Sequence, residues 1–399
     1  MDETQQEGQG FDNWLLVHII TKLEVGGAQF ATLDTINHFS HNFGKCLLLS
    51  GPGGTLDKNI KDLCQAENRF VDSLGRVVNP FKDAKAFIEI TNILKRYKKA
   101  HPEKKILVHT HCSKAGVIGR SAAACAGADA IVHTVHGYGY HRHPKWWLRP
   151  IFKAAERICA EFTHGFTVDS HANMLQGKKD DLFTNSPVEI IYCGVPFDKF
   201  HRQTEARTSN FLDELDIPAR HKIVIHLTNF KEQKNPLLFM HVAQNILRKN
   251  SELTFLVSGD GPLRDECVEF SKVNGFAANM RFLGWRNDVP KLLQHSHLLL
   301  NTSSWEGLPQ AFPQALLSGV PIVASDVDGA KEIIIPKTNG SLCPPSDTEL
   351  FVKESLFWLA DNAPSIDAAK EDIQHFSSQY TTSQLGQFYN EIIKKRQRY

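Results

Sequence analysis

The stretch Asn301–Gly329, NTSSWEGLPQAFPQALLSGVPIVASDVDG, decides the fold class. It begins at the end of the apolar run Leu298–Asn301, which is too short for a helix and reads as a strand buried on both faces. A loop follows. Pro313 then fits the first turn of a short helix, where its missing N–H costs nothing. Gly319 caps that helix and Pro321 stops it. Ile322–Ala324 opens the next buried strand. Strand, loop, helix and strand together make one βαβ unit of a parallel sheet. Glu306 lies in the loop at a strand's C-terminal edge, beside a helix start whose N–H groups suit a phosphate, and Gln314 lies eight residues on, in the first turn of that helix.

Outward from this unit the same alternation fills the chain. Strands are expected at Trp14–Ile20, Lys45–Leu49, Arg69–Val71, Ile106–His109, Ile131–Val135, Phe166–Val168 and Val188–Tyr192, with helices at Ala28–Phe39, Leu56–Gln65, Phe81–Lys99 and Lys114–Cys125. The pattern restarts with strands at Ile223–Leu227, Thr254–Val257, Arg281–Leu283 and the two already described. Two successive βαβ series imply two doubly wound α/β domains, each with a ligand edge at its strand C-termini. Gly194–Pro218, rich in turn formers and polar residues, marks the join. The expected domains are residues 1–196 and 197–375, with 376–399 forming a last amphipathic helix that packs back on the first domain.

Composition narrows the function. The 399 residues are 42% apolar and 22% charged, which excludes a disordered or low-complexity chain. Residues 1–196 carry 23 Lys and Arg against 20 Asp and Glu, and the remainder 22 against 24, so neither half has the basic excess of a general nucleic-acid binder. The eight cysteines are scattered without a CxxC pair and read as reduced thiols. Acidic residues precede the apolar run Trp14–Ile20, unlike a signal peptide, and no apolar stretch approaches 18 residues. A cytoplasmic location is expected.

The stretch from Glu306 to Asp326 resembles the sugar-nucleotide site of retaining glycosyltransferases of family 4, which have the GT-B fold. Their pattern sets Glu, seven residues and a second Glu ahead of a helix, then G-x-P-V-V-A-S/T-D. Here Glu306, Gly307, Leu308, Pro309 and Gly319–Asp326 match, while Gln314 stands for the second Glu. The resemblance implies that Glu306 faces the donor sugar, that the backbone of Gly307, Leu308 and Pro309 faces the diphosphate, and that Gln314 accepts from the ribose. Gly26 and Gly27 after the first strand resemble the family's glycine-rich loop. In Thr228–Pro236, Lys234 matches a phosphate-binding cation, whereas Asn229 replaces the family's Arg. Gly259–Pro262 and Phe282–Trp285 also match, which implies a nucleobase pocket along Gly284–Asp288 that includes Trp285 and Arg286. Ile191–Val195 resembles I-Y-N-G-V with Cys193 for Asn. Gly51–Gly54 lacks dinucleotide-loop spacing and reads as a turn.

Seven of the 19 histidines fall between His101 and His143. His109 and His111 share one strand face, and His141 and His143 form another pair, without the carboxylate or thiol spacing of a zinc site. His109–Gly116 and Val132–Gly137 resemble a bacterial polysaccharide-assembly branch of the family. That resemblance implies that His136 holds the donor sugar near its anomeric carbon; the other histidines read as core residues. The segment His141–Arg157 mixes Arg142, Lys145, Arg149, Lys153 and Arg157 with Trp146 and Trp147. It suits a membrane surface or, equally, a domain helix with its tryptophans packed inward.

The resemblance therefore implies a GT-B enzyme with an acceptor domain, a donor domain and an intervening cleft. It would move a sugar with retention from a UDP or GDP sugar to a saccharide, lipid-linked acceptor, at the inner membrane face. It implies no cofactor, metal or covalent nucleophile. Asn229 and Gln314 leave open an inactive sugar-nucleotide-binding scaffold, and a sugar-nucleotide 2-epimerase shares the fold.

Overall fold

The computed structural model describes residues 11–140, 145–200, 209–366 and 373–397. The chain forms two compact units: Met1–Gly194 together with Ser378–Tyr399, and Val195–Ser377.

The first unit holds seven strands, β1 (Phe11–Lys22), β2 (Phe43–Gly51), β3 (Glu67–Phe70), β4 (Lys105–His111), β5 (Ala130–Val135), β6 (Gly165–Val168) and β7 (Val188–Ile190). They pair in the order β3-β2-β1-β4-β5-β6-β7, all parallel. Strand alternation gives the sheet two apolar faces. Leu15, Val17 and Ile19 of β1 pack with Ala86, Ile90 and Leu94 of the helix Pro80–Ala100 and with Ala115 and Ala122 of the helix Ser113–Ala126. Leu16 and Ile20 face the other way, into a core with Leu33 and Ile36 of the helix Gly27–Phe39. The C-terminal helix Ser378–Gln397 adds Leu385, Phe388, Tyr389, Ile392 and Ile393 to that second core. Full burial of each such side chain contributes roughly 2 kcal/mol before ordering entropy is subtracted.

The second unit holds β8 (Lys222–Leu227), β9 (Leu253–Ser258), β10 (Met280–Gly284), β11 (Leu298–Asn301), β12 (Ile322–Ser325) and β13 (Gly340–Cys343). Their order is β10-β9-β8-β11-β12-β13, again all parallel. The edge strand β13 escaped the sequence reading because Gly340 and Ser341 dilute its apolar run; Gly340 lies so close to Ile322 that a Cβ would sit 2.2 Å from that carbonyl oxygen. The expected helix Leu56–Gln65 is one short α-turn, Ile60–Leu63, preceded by a 3-10 turn at Asp57–Asn59.

In each sheet the strand order reverses once, between β1 and β4 and between β8 and β11. Loops leaving neighbouring strands there run to opposite faces and open a crevice at the C-terminal edge, where α/β sheets bind ligands.

Candidate active site

The switch point of the second unit is built from the loops after β8 and β11. The first, Thr228–Asn235, contains two non-glycine residues with left-handed backbone, Phe230 at φ 44° and Asn235 at φ 44°. A bulky residue keeps that conformation only where its surroundings over-determine it. Phe230 is fully buried, and its carbonyl accepts from Leu263 N at 2.9 Å. Gly259 sits so close that a Cβ would fall 1.6 Å from the Thr228 carbonyl oxygen. Bonds lace the two loops together: Ser304 N to Gln233 O at 2.8 Å, Gln233 Nε2 to Trp305 O at 3.1 Å, and Thr302 Oγ1 to Asn235 O at 3.1 Å.

This lacing places Lys234 against Glu306. Lys234 Nζ lies 2.6 Å from Glu306 Oε1, and Ser303 Oγ donates to the same oxygen at 2.6 Å. The Glu306 side chain is only 7% exposed and that of Lys234 20%. The two residues that the motif assigns to sugar and phosphate thus neutralise one another in this structure. Ser303 and Gln233, which build the pair, carried no sequence signal: a serine in a polar loop and a glutamine beside a lysine are ordinary surface residues until the loops meet. Leu308 and Pro309 are buried, and Gly329 presses on the loop, where a Cβ would meet Gly307 O at 2.0 Å.

The other donor-side residues divide. Asn229 Oδ1 is buried with no hydrogen-bond partner among the described residues. Trp285 is 43% exposed, an accessible ring beside β10. Arg286 is engaged by Asp288 through two bonds of 2.7 and 2.6 Å and by Glu214 at 3.5 Å, which raises its pKa above the ordinary value. Gln314 is half-buried on the helix Ala311–Leu317. Asp326-Val327-Asp328 has the spacing of a metal-binding carboxylate pair, a feature that the sequence reading passed over; Lys331 Nζ lies 3.0 Å from Asp326 Oδ1.

If Gln314 serves a ribose hydroxyl, Gln314→Glu is expected to change donor affinity by about 1 kcal/mol or less, since one acceptor replaces another. Gln314→Ala should weaken it by a comparable or larger amount. Calorimetric titration with the nucleotide sugar checks both; no change for Gln314→Ala removes this residue from the site.

In the first unit, Gly26 caps the helix Gly27–Phe39 and accepts from Phe30 N at 3.1 Å. Around the same edge runs a chain of rings. His18 and His109 are register partners on β1 and β4, so their side chains share a sheet face. His18 Nδ1 lies 2.9 Å from His111 Nε2, and His111 Nδ1 lies 3.3 Å from His136 Nε2. His136 Nδ1 in turn lies 3.6 Å from Asp169 Oδ2 and 3.7 Å from Cys193 Sγ. His109 is a satisfied core residue, bound to Tyr389 OH at 2.5 Å and Thr134 Oγ1 at 2.6 Å. Two trios, His18–His109–His111 and His136–Asp169–Cys193, bring possible ligand atoms within 4.8 Å of one another. The hydrogen bonds above already occupy most of these atoms. Burial pushes the Cys112 thiol up to about 11 and raises that of Cys193 well above its usual range, so neither is a thiolate nucleophile at neutral pH. Asp169 was missed in the sequence because one carboxylate after a strand carries no pattern.

The segment Trp146–Ala160 forms a 3-10 turn, Trp146–Leu148, and the helix Arg149–Ala160. Trp146 and Trp147 are exposed, which removes the inward-packed reading. Lys145 and Arg149 are exposed beside them. Lys153 and Arg157, by contrast, are structural: they pair with Asp180 at 2.5 Å and Asp181 at 2.7 Å. Arg142, His141 and His143 lie outside the described residues. Among the described residues no helix is long and apolar enough to cross a membrane.

Each unit thus carries a crevice at its switch point, with a Lys–Glu pair in one and a histidine chain in the other. Residues 25–199 match the family model for Glycosyltransferase Family 4 and residues 208–375 that for Glycosyl transferases group 1. The chain belongs to the family 4 glycosyltransferases, and its fold is GT-B. It is 27% identical over 342 residues to an Escherichia coli UDP-Gal:alpha-D-GlcNAc-diphosphoundecaprenol alpha-1,3-galactosyltransferase, covering 84% of this chain and 86% of that one. Alpha-D-kanosaminyltransferase of Streptomyces kanamyceticus is 24% identical over 325 residues, 75% of this chain and 81% of its own. Among solved structures, HepE of Anabaena in complex with UDP and glucose superposes with a TM-score of 0.79 at 17% identity, over 94% of this chain and 99% of that chain. The likeness to HepE concerns the fold alone.

Proposed function

We propose that the chain transfers a hexosyl group, with retention of configuration, from a UDP-sugar to a lipid-linked saccharide at the surface of a membrane. The observation that carries this reading is the Lys234–Glu306 pair at the β8/β11 switch point. Each partner there offers what a nucleotide-diphosphate sugar lacks: a cation for the phosphates and an acceptor for the sugar hydroxyls. On donor binding Lys234 turns from Glu306 to the diphosphate, and Glu306, released, accepts from the sugar. Turned about its last side-chain bond, the Asn229 amide presents its NH2 to phosphate in place of the family's arginine.

In the reaction the acceptor oxygen attacks the anomeric carbon from the face that the leaving group vacates. The bond from C1 to the β-phosphate oxygen breaks, and the acceptor's proton passes to that phosphate oxygen. Lys234 and backbone N–H groups carry the developing phosphate charge, which a metal would otherwise carry. His136, backed by Asp169 and His111, holds the sugar in the first unit. The E. coli relative acts from UDP-Gal on a diphosphoundecaprenol-linked acceptor, which supports UDP over GDP and a lipid-linked acceptor here. Exposed Trp146 and Trp147 with Lys145 and Arg149 supply the membrane contact.

The test is to incubate the protein with a panel of UDP- and GDP-sugars, with and without polyprenyl-diphosphate-linked N-acetylglucosamine. The expected result is UDP release stimulated by acceptor and an axial product linkage by NMR. Binding without turnover for every donor would make the chain a scaffold, and interconversion of donor sugars without acceptor would make it an epimerase.

A further inference from the structure

The helices Pro80–Ala100, Ser113–Ala126 and Arg149–Ala160 lie side by side on one face of the first sheet. Each returns the chain to the start of a following parallel strand, so each begins at the sheet's C-terminal edge. Among the described residues, the first and third of these helix starts are apolar and exposed. Val77, Val78 and Phe81, in the turn that opens the first helix, are 81%, 55% and 88% exposed. Trp146, Trp147 and Ile151 at the third are 73%, 55% and 58% exposed. Single exposed apolar side chains need no explanation, but six along one rim do. The middle helix start ties the rim together: Lys114 pairs with Asp83 at 2.7 Å and donates to the Val77 carbonyl. Exposed cations border both ends, Lys82 and Lys85 at the first and Lys145 and Arg149 at the third. Of the acidic groups nearby, Asp83 is paired with Lys114 and Glu24 with Arg76 at 2.7 Å, while Asp72 is exposed and Glu89 lies near it and Lys85.

We propose that the first unit docks on an anionic bilayer at two separate points, the Val77–Phe81 turn and the Trp146–Ile151 segment. The inference rests on the membrane-surface reading above and goes beyond it. Neighbouring helices pack 8–10 Å apart, so the two points stand about 20 Å apart across the central helix. Apolar side chains entering the interface between basic residues that meet anionic headgroups are the requirement for such adsorption. One point would let the unit swivel. Two points fix its tilt and hold the sheet's C-terminal edge, with His136 and the Gly26–Gly27 loop, toward the headgroup layer where a lipid-linked saccharide emerges.

The experiment is co-sedimentation of the full chain with phosphatidylglycerol–phosphatidylcholine vesicles at low salt. The triple change Val77→Ser, Val78→Ser and Phe81→Ser is expected to lower partitioning about tenfold or more, as is Trp146→Ser with Trp147→Ser. Hydrolysis of a UDP-sugar and the melting temperature should be unchanged in the turn variant. The tryptophan emission of Phe81→Trp should shift to the blue when vesicles are added, a direct sign of insertion. If the turn variant partitions like wild type and the Phe81→Trp emission stays put, docking is through the tryptophan segment alone and the inference fails while the membrane reading stands. If wild type ignores the vesicles, the membrane reading itself fails. If the turn variant instead converts a dimer to a monomer in sedimentation velocity, the turn is a contact between copies, which also overturns the proposal.

Discussion

Replacing Lys234 by alanine is expected to cut sugar transfer about a hundredfold, the usual effect of deleting one charged donor from a closed site, on the order of 3 kcal/mol. The motif alone predicts a change in turnover and nothing else. The structure adds a cost in stability, because Glu306 is 7% exposed and loses its cation at 2.6 Å. A nearly buried carboxylate left with Ser303 alone destabilises the fold by roughly 1–3 kcal/mol. The double variant Lys234→Ala/Glu306→Gln separates the two roles. Removing both charges should restore most of the melting temperature and none of the turnover. If the pair only braces the loops, transfer recovers with stability, and the assignment of Lys234 to the diphosphate is wrong. Steady-state kinetics and thermal unfolding on the same three proteins decide it.

The contrast between the two crevices explains what the sequence disclosed. Parallel strands buried on both faces are continuous apolar runs, so β1, β2, β8, β9 and β11 stand out by composition, and the helices between them follow from period and capping. The loop of Glu306 is legible for a related reason: a strand end, a turn and a capped helix must occur at fixed spacing, and glycine and proline mark each junction. The edge strand β13, with Gly340 and Ser341, has one covered edge and little apolar length, so its strand character comes from pairing with β12. The first unit's site is the less legible part. His18, His111, His136, Asp169 and Cys193 come from different elements separated by up to 175 residues and meet only because β1, β4, β5 and β6 are neighbours in the sheet. No local spacing encodes that meeting. Burial was equally hard to foresee for the tryptophans, since Trp146 and Trp147 in a basic segment suit either a core or a surface, and it is Glu156, paired with the buried Arg120, together with Cys159 and Ala160 that turns inward on the helix that follows them.

Acidification from pH 7.5 to 5.5 is expected to destabilise the first unit, and the second by less. Burial lowers the pKa of His18 to about 3, and burial together with repulsion from neighbouring rings or Arg120 holds His109, His111 and His133 well below their usual range. All four lie in the first unit; in the second, burial lowers His226 to about 4. The unfolded chain takes up a proton on each histidine near pH 6.5, while the folded chain refuses it. Stability is therefore complete above that pH and declines as pH falls toward the folded values. At pH 5.5 His18 alone costs about 1.4 kcal/mol, and His109, His111 and His133 add in the same direction, against the ~5–15 kcal/mol of a typical domain. The ring geometry fits the same neutral state. His18 faces His111 at 2.9 Å and His111 faces His136 at 3.3 Å, nitrogen to nitrogen. Each contact needs one N–H and one lone pair, which a run of neutral imidazoles supplies in a single direction. A proton added to His111 would turn an N–H toward an N–H unless a neighbour flipped its tautomer. Urea unfolding at the two pH values, followed by amide exchange resolved by unit, reads the difference directly. Equal stability of the first unit at pH 7.5 and 5.5 would mean that its histidines accept protons while folded, and the chain of neutral rings would have to be abandoned.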